Sequence, residues 1–264
     1  MLRRAWKRRL AGARRACCNR SVLRARADLE PDIASAAALI GDPSRAAILA
    51  ALADGRTLPA GELARVAGIS PQTASSHLDR LFKAHLLGVE VQGRHHYYRL
   101  RDARVAAALE SLAVIARPAR ALTESRTEAV RALRFARTCY GHLAGTLGVA
   151  VTEALCAHGF LAAADASYVV TPSGRSWFRD HRIAVESLTR RPLAKACLDW
   201  SERRHHIAGA LGVALTTRAL ELDWIARVRE SRAVRVTDRG RQALSSELGI
   251  DPQRLSLSTL RRLP

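Results

Sequence analysis

Five side chains in the C-terminal half have the chemistry to hold a soft or borderline metal ion or to act as a thiol redox pair: Cys139 and His142, and Cys197 with His205 and His206. Thiolate sulfur and imidazole nitrogen are the donors that zinc, copper and cadmium select. Three residues apart, Cys139 and His142 would share a helix face, as would His205 or His206 with Glu202. Their spacing matches no known zinc finger or ribbon, and a free cysteine is commonly a small buried hydrophobe. Metal binding, redox sensing and plain packing therefore all stand as readings. An enzyme is not expected. A nucleophilic Cys139 would need a base within hydrogen-bond reach and an oxyanion site, and nothing in the sequence marks either. Cys156 has no partner at useful spacing.

A second group suits hydrogen bonding to nucleic acid. Gln72, Thr73, Ser75, Ser76, His77 and Arg80 form the slim polar face of a predicted helix, near its N-terminal end, and Arg94 falls at the tip of a predicted hairpin. Such a face can reach base edges in the major groove, and an arginine at a hairpin tip can reach a phosphate or the minor groove.

The elements that would position these groups follow from caps, turns and periodicity. Ser70 is a suitable N-cap, Pro71 suits the first helical position, and Gly68 suits the end of the preceding helix. Two helices are predicted, from Glu62 to Ala67 and from Pro71 to Ala84. Ala74, Leu78 and Leu81 should face the core with Leu63, Val66 and Ile69. After Gly88, Val89 to Val91 and His95 to Leu100 alternate about Gln92-Gly93, which predicts a two-stranded hairpin. Helix, tight turn, helix and hairpin in that order outline a winged helix-turn-helix, with duplex DNA as partner.

The run from Leu39 to Leu49 (LIGDPSRAAIL), then Glu62-Leu63-Ala64, Ser75-Ser76-His77-Leu78 and Tyr97-Tyr98-Arg99-Leu100, resembles the ArsR-type (arsenic-repressor) family of bacterial regulators over residues 32–117. The resemblance implies a homodimer built on the first and last helices of the module, here Asp32 to Ile40 and Asp102 to Ala116, and a palindromic DNA target. The family's usual metal sites have no counterpart here. Pro59-Ala60-Gly61 stands where a Cys-x-Cys thiolate site would be. The last helix has no histidine from Arg104 to Ala116, only Glu110, and no cysteine occurs from Pro71 to Leu87. His95 and His96 read as DNA-proximal or solvent-facing.

At 264 residues the chain is about twice what one such module needs. The expected layout is a basic leader over 1–30, a DNA-binding and dimerisation domain over 31–117, and a C-terminal effector or interaction domain over 118–264. Pro118 is the seam, and Arg120 to Arg137 reads as a positively charged helix. The C-terminal part contains an internal repeat. His142 to Thr152 (HLAGTLGVAVT) recurs as His206 to Thr216 (HIAGALGVALT), and Val169 to Arg175 matches Arg235 to Arg241, both with Thr-x-x-Gly. The expected fold class is mainly α with small β-hairpin wings: an N-terminal winged helix-turn-helix, then two repeated helix-and-wing-like units at about 138–180 and 202–246 sharing one core. A longer subgroup of the ArsR-type family carries a similar Ala136-Arg137-Thr138-Cys139-Tyr140-x-His142-Leu143-Ala144-Gly145 and Cys197-Leu198-Asp199-Trp200-x-Glu202-Arg203. Trp200 and Asp199 read as a core aromatic beside a cap-like carboxylate.

The formal net charge is +19, and Met1 to Ala27 holds ten Lys or Arg and no acid. That leader is either a DNA-tracking arm or the product of a misassigned start, with Val22 as an alternative beginning, and Cys17 and Cys18 share its standing. Five cysteines without a secretory signal or disulfide framework point to the reducing cytoplasm, and no apolar run reaches membrane-spanning length. The sequence thus predicts a sequence-specific transcriptional regulator, a repressor in its simplest form, with a small-molecule, metal or redox effector. It requires no cofactor, a transition metal being the one candidate. The rival reading is a non-specific architectural DNA-binding protein, which net charge alone would favour.

Overall fold

The computed structural model describes residues 31–93, 95–116, 124–189, 192–229 and 231–261. The leader with Cys17 and Cys18, Arg94 at the wing tip and the seam at Pro118 lie outside the described residues. The chain divides into two compact units between Asp42 and Pro43. The described part of the first is helix α1 (Ile33–Ile40), capped by Asp32, whose carboxylate accepts the Ser35 N–H at 3.0 Å. Its sequence, IASAAALI, is apolar, and none of its residues is buried.

The second unit begins with the winged helix-turn-helix. Helix α2 (Pro43–Leu52) is followed by strand β1 (Leu58–Pro59), helix α3 (Ala60–Ala67), helix α4 (Pro71–Lys83), strands β2 (Leu87–Gln92) and β3 (His95–Leu100), and helix α5 (Ala103–Ile115). Gly68 closes α3 in the left-handed conformation at φ 65°, which a side chain would oppose. Ser70 then caps α4 by accepting the Thr73 N–H at 3.2 Å, with Pro71 in the first turn. The wing pairs Leu87 with Leu100 and Val89 with Tyr98, and β1 adds to the far side of β3, giving the order β1-β3-β2. Ile48, Leu49, Leu63, Leu78, Leu81 and Leu100 form the core of this part. Val66 is 38 % exposed. The α3 positions that reach the core are Leu63 and Ala64, since the helix packs against both α2 and α4 on that side and leaves Val66 on the rim.

Beyond α5 come helix α6 (Glu124–Phe135), strands β4 (Arg137–Cys139) and β5 (His142–Ala144), helix α7 (Gly145–Ala157), strands β6 (Leu161–Ala164) and β7 (Ser167–Val170) and helix α8 (Pro172–Asp180). The order hairpin, helix, hairpin, helix then occurs again: β8 (Lys195–Leu198), β9 (His205–Ala208), α9 (Gly209–Glu221), β10 (Ile225–Arg227), β11 (Val234–Val236) and α10 (Asp238–Leu248), followed by α11 (Pro252–Arg261). Strands β6 to β9 join in one antiparallel sheet, while β4-β5 and β10-β11 are separate pairs. A single apolar core runs through both segments, with Leu147, Leu155 and Phe178 from the first and Leu211, Ile225 and Leu244 from the second. The helix expected to reach Arg137 stops at Phe135. Arg137 opens β4 and is wholly buried, so it is no solvated charge.

Both Thr-x-x-Gly motifs cap helices. Thr171 accepts the Gly174 N–H at 3.0 Å, and Thr237 accepts the Gly240 N–H at 2.9 Å. The glycines are small because α8 and α10 approach a carbonyl closely: a Cβ on Gly240 would lie 1.8 Å from the Trp224 carbonyl oxygen. Gly61, exposed in the first turn of α3, has nothing within 4 Å of such a Cβ. Gly240→Ala should therefore lower stability by about 1–3 kcal/mol through overpacking. Gly61→Ala should raise it by up to about 1 kcal/mol through helix propensity. Urea midpoints of the two variants, moving in opposite directions, are the check.

Candidate functional site

Helix α4 presents Gln72, Thr73, Ser75, Ser76 and Arg80 to solvent while Ala74, Leu78 and Leu81 are buried beneath them. The separation follows from the 3.6-residue period, which puts the three apolar residues on one stripe. Two of the expected contact residues have internal partners. The Thr73 hydroxyl lies 2.8 Å from that of Ser70, and His77 is half-buried with Nδ1 3.4 Å from an Arg45 guanidinium nitrogen on α2. Asp79 on the same helix pairs with Lys83 at 2.7 Å, which moderates its charge next to Arg80. In the wing His95 and His96 are exposed, and Arg99 is tied to Glu90 at 2.9 Å.

The second site is a buried cluster. Cys139, His142, Cys197 and His206 bring one donor atom each within 4.8 Å of one another. His205, its neighbour on β9, is exposed and stands outside the cluster, as strand alternation requires. The expected helical pairing of Cys139 with His142 is replaced by a hairpin pairing: the two face each other across β4 and β5, joined by Tyr140 and Gly141 at φ 48° and 92°. Two successive residues of positive φ make the tight turn that matches strand twist. Cys197 and His206 are likewise cross-strand partners on β8 and β9. Each hairpin thus delivers one thiol and one imidazole.

The helices are cut to fit the two imidazoles. Helix α9 packs on β5, and α7 on β9. A Cβ on Gly212 of α9 would lie 3.1 Å from the Cβ of His142, and one on Gly148 of α7 would lie 3.7 Å from that of His206. The same two glycines would also drive into the Ile207 and Leu143 carbonyl oxygens, each at 2.5 Å. The rings of His142 and His206 are 5.0 Å apart between centroids.

Charge surrounds the cluster. Asp199 is fully buried, and its carboxylate accepts Arg137 Nη2 at 3.0 Å and the Gly145 N–H at 2.7 Å on one oxygen. The other oxygen accepts the Ser201 and Glu202 N–H groups at 2.9 and 3.1 Å and the Ser201 hydroxyl at 2.6 Å. Arg137 in turn stacks on Trp200 at 4.4 Å. Burial pushes the Asp199 carboxyl up, but Arg137, Ser201 and the Gly145 N–H outweigh it and hold it at about 2. The hydrogen bond from Cys139 and the proximity of His206 bring Cys197 down to about 5 against its burial, while the same bond and burial push Cys139 well up. Burial, then His206 and Arg137, lower His142 well below its ordinary value.

A cleft of about 940 Å³ opens beside the cluster, with Cys139, His142, Cys197 and Glu110 in its wall. Glu110, on α5 of the winged module, is buried with Oε1 3.3 Å from Arg232. Its neighbourhood joins the two halves of this unit: Tyr140 N–H donates to the Ala53 carbonyl at 2.6 Å, and Arg56 donates to the Ser231 carbonyl at 3.0 Å. Sequence reasoning named Cys139, His142, Cys197 and His206 but missed Glu110 as their neighbour and Arg137 as their buried support. The Tyr-Gly turn was the one local signal that could have separated hairpin from helix.

The family described as a helix-turn-helix domain matches residues 40–90. Over 224 residues the chain is 46 % identical to YdfF of Bacillus subtilis, an uncharacterized HTH-type transcriptional regulator, covering 84 % of this chain and 99 % of that one. Among solved structures, NolR from Sinorhizobium fredii is 27 % identical over 31 % of this chain and 81 % of its own, at a TM-score of 0.29. The cadmium metal-sensor CMTR from Mycobacterium tuberculosis is 28 % identical over 35 % of this chain and 99 % of its own, at a TM-score of 0.28. Among the described residues no single helix is long and apolar enough to cross a membrane.

The ion pair sets a stability test. Asp199→Ala strands the wholly buried Arg137 charge and should cost about 3–5 kcal/mol. Arg175→Ala, which removes an exposed and solvent-screened pair with Glu186, should leave the unfolding midpoint close to that of the parent. Chemical denaturation of the two variants against the parent checks the contrast.

Proposed function

Because the chain belongs to the HTH-type transcriptional regulators, DNA-binding proteins with a winged helix-turn-helix, we propose that it is a sequence-specific regulator of ArsR type. In this reading it binds an imperfect palindrome as a homodimer and represses by occupying its operator. The observation that carries this is the face of α4, where Gln72, Thr73, Ser75, Ser76 and Arg80 stand exposed over a fully buried apolar stripe. His77, half-buried beside Arg45, contributes from the edge of that face. Arg94 supplies the wing contact to the backbone.

Exposed apolar residues support dimerisation. Ile33 on α1 is 74 % exposed, and on α5 Leu112 and Ile115 are 42 % and 78 % exposed. Covering them with the same surfaces of a second copy removes apolar area from water and gives a twofold axis, hence two half-sites about 34–36 Å apart. Residues 31–117 form the DNA-binding and dimerisation domain in this reading, and 118–264 form the effector domain. The latter derives from two copies of one helix-and-wing unit, supported by the recurrence of hairpin, helix, hairpin, helix.

A footprint on genomic fragments should show a protected palindrome. Arg80→Ala should cost about 1–3 kcal/mol on that operator and less on random DNA. Arg94→Ala should weaken both evenly and reduce the salt slope by about one. Uniform coating with a steep salt dependence, unchanged in selectivity by Arg80→Ala, would establish the architectural reading that the charge of +19 favours. Separately, Ile115→Glu should sediment as a monomer while keeping its circular dichroism spectrum. A dimer that persists would remove α5 from the interface.

A further inference from the structure

The cluster on the two hairpins contains a mismatch between burial and bonding. His206 is fully buried, yet neither of its ring nitrogens has a hydrogen-bond partner, and the same holds for Nδ1 of His142. Buried imidazole nitrogens without partners are costly, and a well-packed interior rarely keeps three of them in one place. These orphaned atoms belong to the two residues whose thiol neighbours complete a four-donor set within 4.8 Å. Beside the set, Asp199 Oδ2 stands 3.4 Å from His206 Nδ1, off the line of a hydrogen bond. A carboxylate on the far nitrogen of a ligating histidine is the usual outer support of a metal site, since it fixes the tautomer and turns the other nitrogen to the ion. Two thiols and two imidazoles suit a tetrahedral borderline cation, and the cleft next to them gives it an entry path.

We propose that Cys139, His142, Cys197 and His206 bind a borderline divalent cation of the zinc class, and that Glu110 on α5 couples its occupancy to DNA binding. The second clause rests on the operator-binding function proposed above. Glu110 is the group placed to respond. Its Oε2 is buried without a hydrogen-bond partner, while Oε1 faces Arg232 at 3.3 Å, and Arg232 is the residue whose carbonyl accepts the Thr138 N–H of β4 at 2.9 Å. A dication arriving between the thiols attracts the Glu110 carboxylate away from Arg232. Because α5 is a rigid helix of the winged module, that pull acts on the element whose exposed end carries Leu112 and Ile115. Occupancy thereby favours one separation of the two recognition helices in a dimer over another, as differential affinity requires.

The site is tested with Co²⁺ added to the full-length, thiol-reduced, chelator-treated protein. One equivalent should give thiolate-to-cobalt charge-transfer absorption and intense tetrahedral d–d bands, displaced by Zn²⁺. Cys197→Ser should lose the charge-transfer intensity of one thiolate, and His206→Gln should weaken uptake at least about tenfold. Because metal binding is read directly, a variant that misfolds does not decide the matter: reduced parent protein that takes up no Co²⁺ overturns the site. For the coupling, Zn²⁺ should shift operator affinity of the parent by about 5–150-fold, the usual range for linked sites. Glu110→Gln should keep the cobalt spectrum and reduce that shift severalfold. A normal cobalt spectrum with unchanged operator affinity overturns the coupling. Absence of any footprint, with or without Zn²⁺, sinks the operator reading instead and leaves the spectroscopic result standing.

Discussion

The carboxylate of Asp199 is the contact on which the C-terminal architecture depends. A charge at that depth is stable only if every lone pair is answered, and here the answers come from both hairpin segments. Arg137 and Gly145 belong to the first, Ser201 and Glu202 to the second. The bonds therefore fix the start of β4, the start of α7 and the turn between β8 and β9 relative to one another. With those three points held, Cys139 and Cys197 have little choice but to meet. The meeting of the two thiols is thus a result of an electrostatic requirement one layer behind it.

From the cluster, the same unit continues without a break into the DNA-binding module. The β4-β5 turn is bonded to the end of α2 through Tyr140 and Ala53, and Asp54 next to it is buried against Arg56 at 2.6 Å. Burial raises the Asp54 carboxyl, against the pull of the Arg56 N–H and guanidinium. Charged groups held this way are poor sources of net stability but strong determinants of geometry, because only one arrangement satisfies them. The winged module is consequently not an independent bead on a string in its contacts. Its helix α5 carries Glu110 toward the thiols, and its helix α2 receives the hairpin that holds one of them.

The parts that were legible in the sequence are those governed by local rules. Ser70 and Pro71 announce the start of α4, Gly68 the end of α3, and Gln92-Gly93 the wing, because caps and turns act over three or four residues. The Thr-x-x-Gly motifs likewise mark helix starts at Thr171 and Thr237. Cys139 with His142 misled for a related reason: three residues is one helical turn, but it is also the span of a two-residue hairpin, and only the positive φ of Tyr140 and Gly141 decides between them. Val66 had helical spacing and no core to fill, since the neighbour that closes its position is set by tertiary packing. Nothing local marks Arg137 as buried, because its partner is 62 positions away. Glu110 is a lone acid on its helix, and no periodicity could reveal that it would line one cleft with two thiols from a different part of the chain. The exposed polar face of α4 was visible in outline, though the contact between His77 and Arg45 shows that one of its residues is shared with the interior.

The exchange between the helices and the opposite hairpins has a consequence during synthesis. His142 lies over Gly212, so the floor of the first hairpin is completed by a helix that ends at Glu221. At about 5–20 residues per second, the ribosome needs on the order of ten seconds to deliver that stretch. For that interval the nascent chain holds out Leu143, Cys139 and an uncovered strand edge with their eventual cover still untranslated. The crowded arginines around this segment, including Arg131, Arg134 and Arg137, keep the waiting chain highly charged, which opposes association with other chains until α9 emerges and shuts the gap.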